Sequence, residues 1–270
     1  MMKNQIKSVL RNKSNIIYIF TFVILFAILN VALTIRPLVD QYFDNIVEEY
    51  SNTLQTQLNK ISSYENIKID ELAKTIQISK ELTDEQKTEI ENIKHVERLE
   101  IQKIDLEGEE VHIQYLYLDD WKNFEYVNNR LDALGISGSP AVLDEQILES
   151  YSTIRNIANT IQYLLIIVSL LVIIVCCRNI VKNEQKNIKL LQIFGYKKSK
   201  IKQILFVEQI TMLIIGLIFG IVLYELLYFL LVHEMLNISV ENNAVMMVAI
   251  NAIIILLPAF LSIHIKTLKS

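Results

Sequence analysis

The sequence is poor in the residues on which nucleotide-binding and catalytic loops depend. Its 270 residues include six glycines, three prolines, two cysteines and four histidines. No glycine is followed by lysine, which excludes a G-x-x-x-x-G-K-[S/T] phosphate loop, because that loop needs glycine for close backbone approach to phosphates. The histidines are scattered, and neither H-E-x-x-H nor G-x-S-x-G occurs. The sequence therefore predicts a non-enzymatic chain without catalytic, cofactor-binding or metal-ligating residues.

Charge is equally rare within four long apolar runs. The runs are Ile16–Ile35, Ile157–Cys177, Ile204–Val232 and Ala244–Ile263. None contains lysine or arginine, and the only acidic residues are Glu208 and Glu225 in the third. Each run matches the roughly 20 residues that a helix needs to cross a bilayer, where charge is costly. The pattern predicts a mostly α membrane protein with four transmembrane helices, at 16–36, 157–177, 204–232 and 244–264.

The charged residues between the runs predict an orientation. Basic residues lie in segments 1–15, 178–203 and 265–270, whereas the short segment 233–243 has none. The positive-inside rule then places both termini and segment 178–203 in the cytoplasm. Segment 37–156 holds 25 acidic against 11 basic residues, a net charge of −14. The acidic segment outside and the basic segments inside predict a multi-pass plasma-membrane protein, and a composition rich in Lys, Ile and Asn suggests a bacterial one. Because the inner basic residues lie beside the ends of the runs, no nucleic-acid partner is expected.

Segment 37–156 begins and ends with helical apolar stripes. The first stripe is Val39, Phe43, Ile46, Tyr50, Leu54, Leu58 and Ile61, and the second is Ile147, Tyr151, Ile154, Ala158 and Ile161. Both step by three or four residues, which is typical of one face of a helix. Because each stripe continues without a break into a predicted span, we expect an antiparallel helical stalk. Two unrelated surface helices are the alternative.

Between the stripes the sequence predicts a small α+β extracytoplasmic domain, inserted between transmembrane helices 1 and 2. Its expected elements are helices at Asp70–Leu82, Asp84–Lys94 and Asp119–Leu134, a hairpin of Val96–Ile104 with Val111–Leu118, and a loop at Gly135–Pro140. The only tryptophan, Trp121, lies close in sequence to several tyrosines and phenylalanines. Such a cluster in a small domain favours a core over a site for a peptide or lipid.

The third run contains Gly216 and Gly220, a G-x-x-x-G motif that lets two helix backbones approach closely. The motif predicts helix packing, and packing between subunits is one possibility.

Residues 182–194, between the second and third runs, form an amphipathic basic helix on a helical wheel. Leu190, Leu191 and Phe194 share one face, and lysines and glutamines share the other. Gly195 is expected to end the helix, since it tolerates a left-handed cap. Ile193 lies among the polar residues, which favours insertion into a protein partner. A surface helix whose lysines contact membrane lipid is the alternative.

Residues 187–201, NIKLLQIFGYKKSKI, resemble the signature of FtsX/MacB-type ABC transporter permeases. The order of one span, a large outer domain and three further spans is also similar to that family. The resemblance implies that this segment is the coupling helix, which docks in a groove of a separate cytoplasmic ABC ATPase. The implied docking residues are Glu184, Lys186, Asn187, Lys189, Leu190, Leu191, Ile193, Phe194 and Gly195. The family's glutamate falls on Asn187 here, and whether Glu184 replaces it is open.

The resemblance also implies an assembly of two permease chains, identical or related, with an ATPase dimer that binds ATP and Mg²⁺. In this type VII fold the stalk would transmit ATPase closure to the outer domain. We expect export or extraction of an amphiphile, such as an antimicrobial peptide or lipid. The acidic outer segment would attract cationic peptides. A second hypothesis is an FtsX-like signal transmitter that activates a cell-wall hydrolase. A third is a membrane sensor or scaffold without an ATPase.

Overall fold

The chain divides into two compact units that alternate along the sequence. The computed structural model describes residues 13–59, 68–106, 109–230, 250–256 and 258–259. One unit, Met1–Leu38 with Ile157–Ser270, is here called the membrane unit, and the other, Val39–Asn156, the cap unit. In chain order the helices and strands are α1 (Lys13–Asn59), α2 (Ile69–Leu72), β1 (Thr75–Ile78), α3 (Asp84–Glu91), β2 (Val96–Leu106), β3 (Glu109–Leu118), α4 (Phe124–Ala133), β4 (Gly138–Pro140), α5 (Glu145–Asn183), α6 (Gln185–Ile193) and α7 (Lys198–Tyr228).

Three helices, α1, α5 and α7, are long and apolar enough to cross a membrane. They contain the first two apolar runs and residues 204–228 of the third. Helix α1 continues through Pro37, as predicted, although proline removes one backbone hydrogen bond. Most of the fourth predicted span, 244–264, lies outside the described residues. The residues described within it, 250–256 and 258–259, are helical. The described part of the chain thus contains three candidate spans.

Helices α1 and α7 are in direct backbone contact within the membrane unit. A Cβ added to Gly216 would lie 2.5 Å from the Cβ of Phe22, and one added to Gly220 would lie 2.7 Å from the Cβ of Phe26. No side chain fits at either glycine without moving α1. Because both pairs advance in the same direction, α1 and α7 run parallel. The G-x-x-x-G motif has its partner inside the chain, and we call this contact the α1–α7 seam.

The cap unit is built on a four-stranded antiparallel sheet with the strand order β2-β3-β1-β4. Strands β2 and β3 form the predicted hairpin, which is confirmed, and β1 pairs with β3 from Thr75↔Tyr117 to Ile78↔Gln114. One face of the sheet packs against helices α3 and α4. The side chains buried there are Ile76, Ile78, Leu82, Ile90, Leu116, Leu118, Val127, Leu131 and Ile136.

Local signals explain where the cap helices begin and end. Thr83 caps α3 through a capping box with Gln86, whose backbone N–H donates to the threonine hydroxyl. Helix α4 ends at Gly135, which has φ +71°, and the N–H of Ile136 donates to the carbonyl of Leu131. The predicted start of α3 and the predicted end of α4 are therefore supported by hydrogen bonds as well as by the sequence pattern.

Two predictions for the cap were wrong. The helix predicted at Asp70–Leu82 stops at Leu72, and β1 follows from Thr75 to Ile78. Alternating β-branched residues fit the central position between β3 and β4, where Ile76 and Ile78 are fully buried. The predicted loop at Gly135–Pro140 includes the edge strand β4, which pairs antiparallel with β1 from Ile76↔Pro140 to Ile78↔Gly138. Gly138 allows this close approach, since a Cβ there would lie 2.5 Å from Ile76 Cγ2.

The turn into β2 contains the non-glycine residue His95 at φ +76°. Its Nδ1 lies 2.8 Å from Asp119 Oδ2, and its carbonyl accepts a hydrogen bond from the Asp119 backbone N–H. Partial burial raises the pKa of the Asp119 carboxyl, but hydrogen bonds from His95 and Asn123 outweigh this, so its pKa is lowered. These contacts offset the strain of a left-handed backbone conformation at a residue other than glycine.

Within the cap unit, α1 and α5 are joined by a polar and aromatic contact that we call the clasp. Its members are Asp40, Asp44, Trp121, Lys122 and Tyr151. Asp40 accepts a hydrogen bond from the Tyr151 hydroxyl at 2.9 Å. Asp44 accepts from Trp121 Nε1 at 3.1 Å and from Lys122 Nζ at 2.6 Å. The rings of Trp121 and Tyr151 lie 4.7 Å apart, and Trp121 is only 5% exposed. The prediction that Trp121 belongs to a core is confirmed.

The α1–α7 seam can be tested by filling it. We expect Gly216→Leu to destabilise the protein by at least the 1–3 kcal/mol typical of overpacking, because the new side chain must displace Phe22. Ile214→Phe, which enlarges an exposed side chain of the same helix, is the matched control. Size-exclusion chromatography after graded heating in detergent measures both variants. Equal heat resistance of the two variants would contradict direct backbone contact.

The clasp can be tested through the single tryptophan, which makes the cap unit its own fluorescent reporter. Tyr151→Phe leaves the ring in place but removes the hydroxyl that Asp40 accepts from, so we expect a loss of about 1–2 kcal/mol. Thermal unfolding followed by Trp121 emission measures this. Tyr42→Phe makes the same change at a half-exposed residue of α1 and should leave the midpoint unchanged. A similar shift in both variants would argue against the clasp.

Candidate docking site

Helix α6 is a nine-residue helix separated from α5 by Glu184 alone. At its other end Gly195 has φ +82°, the left-handed conformation that glycine adopts without strain. The Tyr196 N–H donates to the Leu191 carbonyl and the Gly195 N–H to the Gln192 carbonyl, both at 3.0 Å. This is the Schellman pattern of helix termination. The predicted stop at Gly195 is confirmed, and α7 begins three residues later at Lys198.

The end of α6 and its turn present large apolar side chains to solvent. The exposed fractions are 52% for Leu190, 79% for Ile193, 75% for Phe194 and 47% for Tyr196, and we call these four residues the apolar tip. Burying an apolar side chain of this size is worth about 1.5–3 kcal/mol. A cluster left exposed is therefore typical of a surface that another molecule covers.

The helix and turn that carry the apolar tip also carry exposed basic and polar residues. Lys186, Asn187, Lys189 and Gly195 of the predicted docking set are exposed, as are Lys197 and Lys198, while Leu191 is half-buried. Exposed apolar side chains on a helix and turn that also carry exposed lysines fit an acidic groove with an apolar floor, and they also fit an anionic lipid surface. The tip is therefore a candidate binding surface.

Glu184 differs from the other predicted docking residues. It is only 8% exposed, and its Oε2 accepts a hydrogen bond from Asn187 Nδ2. The carboxylate therefore points toward the chain's own residues. The structure does not bring Glu184 to the surface that the apolar tip occupies. Asn187, which stands at the position of the family's glutamate, contacts Glu184 instead.

The predicted stalk residues are placed unevenly. Phe43 and Tyr151 are buried with ring centroids 5.3 Å apart, and Ile46, Tyr50 and Ile147 pack partly buried in the same cluster. The Tyr50 hydroxyl donates to the Val142 carbonyl at 3.3 Å. Leu54 is half-buried and Ile154 is 43% exposed. Contacts between the two stripes are thus concentrated around Phe43 and Tyr151, while Ile61 lies outside the described residues.

Sequence reasoning missed the polar contacts that lie beside α6. Asn15 Nδ2 donates to Glu208 Oε1 at 3.2 Å, and Gln209 Nε2 donates to the Cys177 carbonyl at 2.9 Å. The available signal was polarity inside or beside an apolar run, since Glu208 is one of two acids in the four runs. It could mark these positions but not pair them.

Among the described residues, no group of three or more His, Cys, Asp or Glu side chains could hold a metal ion. Cys176 and Cys177 are free thiols, half-buried and buried respectively. The described surface around α6 therefore offers packing and charge rather than coordination chemistry.

Comparison with known proteins covers the region that contains the candidate site. Residues 159–265 match the family model described as FtsX-like permease C-terminal. No curated protein matches the chain. The matched residues include most of α5 and all of α6 and α7, so they contain the apolar tip and one side of the α1–α7 seam. The match supports, over residues 159–265, the resemblance to FtsX-like permeases that the basic helix suggested.

Proposed function

We propose that this chain is the permease subunit of an ABC transporter and couples ATP hydrolysis in a separate cytoplasmic ATPase to export or extraction of an amphiphile. The observation that supports it most strongly is the apolar tip. It lies on a short basic helix between two candidate spans, within the segment that matches the permease family.

Docking of an ATPase would bury Ile193 and Phe194, which extend furthest into solvent. Lysines around them would guide the approach of an acidic surface. ATP and Mg²⁺ would bind in the ATPase, because this sequence has no phosphate loop of its own. A second permease chain, identical or related, would provide a second tip for an ATPase dimer.

Movement at the tip has a covalent route toward the outer segment. Helices α1 and α5 each contain residues of both units, and in the cap unit the clasp fixes them to each other and to Trp121. A helix transmits displacement along its axis better than a flexible linker does. We propose that this pair of helices carries mechanical change between the two faces of the membrane.

The outer segment suggests a cationic amphiphile as the substrate class. Its net charge of −14 would raise the local concentration of cationic peptides, an effect that salt screens over about 8–10 Å. Antimicrobial peptides combine this charge with an apolar face. Lipid extraction is the alternative within the same function.

A signal transmitter that activates a cell-wall hydrolase is the second candidate. Among the described side chains of the cap unit, the exposed large apolar residues are Tyr42, Ile101, Tyr126 and Ile154. They are scattered in sequence and lie on different elements, and an acyl chain would need a contiguous apolar surface. A mainly polar surface suits a protein partner. Binding of a cationic peptide or of a hydrolase to the full chain in nanodiscs would distinguish the two candidates.

The proposed docking can be tested with the full chain in detergent. We expect Ile193→Asp with Phe194→Asp to abolish co-purification of an ABC ATPase, because two charges would be buried without partners. Gln185→Asp adds negative charge at the opposite end of α6 and is the control. Co-purified ATPase activity and identification of the bound protein by mass spectrometry are the measurements.

Retention of the ATPase by the double variant would disprove docking through the apolar tip. Complete absence of an ATPase from the wild-type complex would favour a sensor or scaffold whose α6 lies on lipid.

The mechanical role can be tested at the boundary between the units. We expect seven Gly/Ser residues inserted both after Leu38 in α1 and after Asn156 in α5 to abolish the ATP-dependent change in hydrogen exchange of the cap unit. Seven alanines inserted at the same two places preserve both helices, their register at the clasp and nearly their phase, since seven residues complete about two turns. Exchange is measured on the complex with its ATPase in nanodiscs. An equal ATP response in both insertions would show that helix rigidity is not needed.

A further inference from the structure

The two edges of the cap-unit sheet differ in how well they are protected against pairing with a further strand. Edge strand β4 has three residues and ends at Pro140, which has no backbone N–H to donate. The opposite edge strand, β2, has eleven residues and no proline. Among the described residues it borders β3 alone. After a register shift between Val96 and Arg98, β2 and β3 stay in unbroken register to Leu106↔Glu109, so the outer edge of β2 is long and regular.

A regular outer edge of this kind can accept one more strand. Alternate residues of β2 direct their backbone N–H and C=O groups away from β3, where they form a row of donors and acceptors. Proteins that bind extended peptides use such an edge, with backbone hydrogen bonds providing affinity and alternate side chains providing specificity. The side chains of β2 therefore indicate which kind of peptide fits.

The centre of β2 alternates between apolar and charged side chains. Leu99 packs partly buried against the core of the cap unit. Ile101, two residues further along, lies on the same face of the sheet and is 45% exposed. Glu100 lies on the opposite face, where its partner in β3 is Tyr115. A strand added beside β2 would therefore place one set of alternate side chains near Ile101 and the other set near Glu100.

The charge of this part of the cap unit favours a cationic strand. Residues 84–110, from the start of α3 to the start of β3, include ten acidic and four basic residues, a net charge of −6. The positive charge of Arg98 is already paired, because its Nε lies 2.8 Å from Glu100 Oε1 and its Nη2 lies 3.6 Å from Glu71 Oε2. A second copy of the chain would bring two acidic edges together, and repulsion between them disfavours that pairing.

We infer that the outer edge of β2 binds an extended cationic peptide, in which apolar residues alternate with lysine or arginine, by adding it to the sheet as a further strand. The inference deepens the proposed function, on which it rests for a cationic peptide as substrate. Apolar residues of the peptide would contact Leu99 and Ile101, and its cationic residues would lie near Glu100. A peptide that stays helical would not bind here, because its backbone groups are already paired within the helix.

Hydrogen exchange of the full chain in phosphatidylcholine nanodiscs, without any ATPase, tests this inference. The probe is an eight-residue peptide of alternating arginine and valine with both termini blocked. At about ten times its dissociation constant, we expect it to slow exchange of the β2 amides that face away from β3 about tenfold, while the amides of β4 keep their rates. The control peptide has the same side chains but is N-methylated at every residue. It keeps the charge, has no backbone N–H, and should not protect β2.

Two variants test the side chains of the edge. Ile101→Lys should weaken binding of the alternating peptide about tenfold or more, because it removes an apolar contact and adds a like charge. Ile154→Lys makes the same change at another isoleucine of the cap unit, which is 43% exposed, and should leave the affinity unchanged. Fluorescence anisotropy of a labelled peptide measures both affinities.

Four results would overturn the inference: no binding of the alternating peptide, binding without protection of β2, equal protection by the N-methylated peptide, or equal weakening in the two lysine variants. Outward-facing β2 amides that are already protected in the free protein would also overturn it, since another strand would then occupy the edge. Should Ile101→Lys fail to fold, the two peptides compared on the wild-type chain decide. No ATPase takes part, so failure of the co-purification experiment leaves this result intact, and failure here leaves docking at the apolar tip intact.

Discussion

The arrangement of the membrane unit depends on one close contact, the approach of α7 to α1 where Gly216 and Gly220 leave room for Phe22 and Phe26. Lipid provides no hydrophobic drive for helix association, so close van der Waals packing must supply it. The contact also fixes register. Asn15 pairs with Glu208 about two turns before Phe22 meets Gly216, so the polar and the close-packed contacts follow the same parallel line. A shift of one helical turn along α7 would break both at once.

The cap unit solves a different problem, since two helices must support a small sheet domain. The clasp does so with partly buried polar pairs as well as apolar burial. Phe43, Leu148 and Tyr151 supply an apolar centre. Asp40 and Asp44 accept hydrogen bonds from the Tyr151 hydroxyl and from Trp121 Nε1, two donors that an apolar centre alone would leave unpaired. Tyrosine and tryptophan suit this position because each combines a large apolar body with one polar group.

Sequence predicted what depends on local pattern and missed what depends on packing partners. Long apolar runs, the glycine stop after α6 and the alternation of β2 and β3 carry their own signals. The described residues include three candidate spans, and the structure confirms the glycine stop and the hairpin. Strand β1 was missed because four residues, Thr75–Ile78, are too few for periodicity to outweigh neighbouring helical signals. The G-x-x-x-G motif predicted close approach but could not name Phe22 as its partner. Likewise, Glu184 looked available for docking because burial by distant residues leaves no trace in local sequence.

The left-handed turn at Gly195 has a consequence for how tightly the apolar tip can bind. Two backbone hydrogen bonds fix the path of the chain from Leu191 to Tyr196, so Ile193 and Phe194 are held in place before any partner arrives. Association normally costs additional entropy when loops and side chains become ordered at an interface. A preformed backbone path avoids part of that loss, so the proposed docking through the apolar tip would need less contact area for a given affinity.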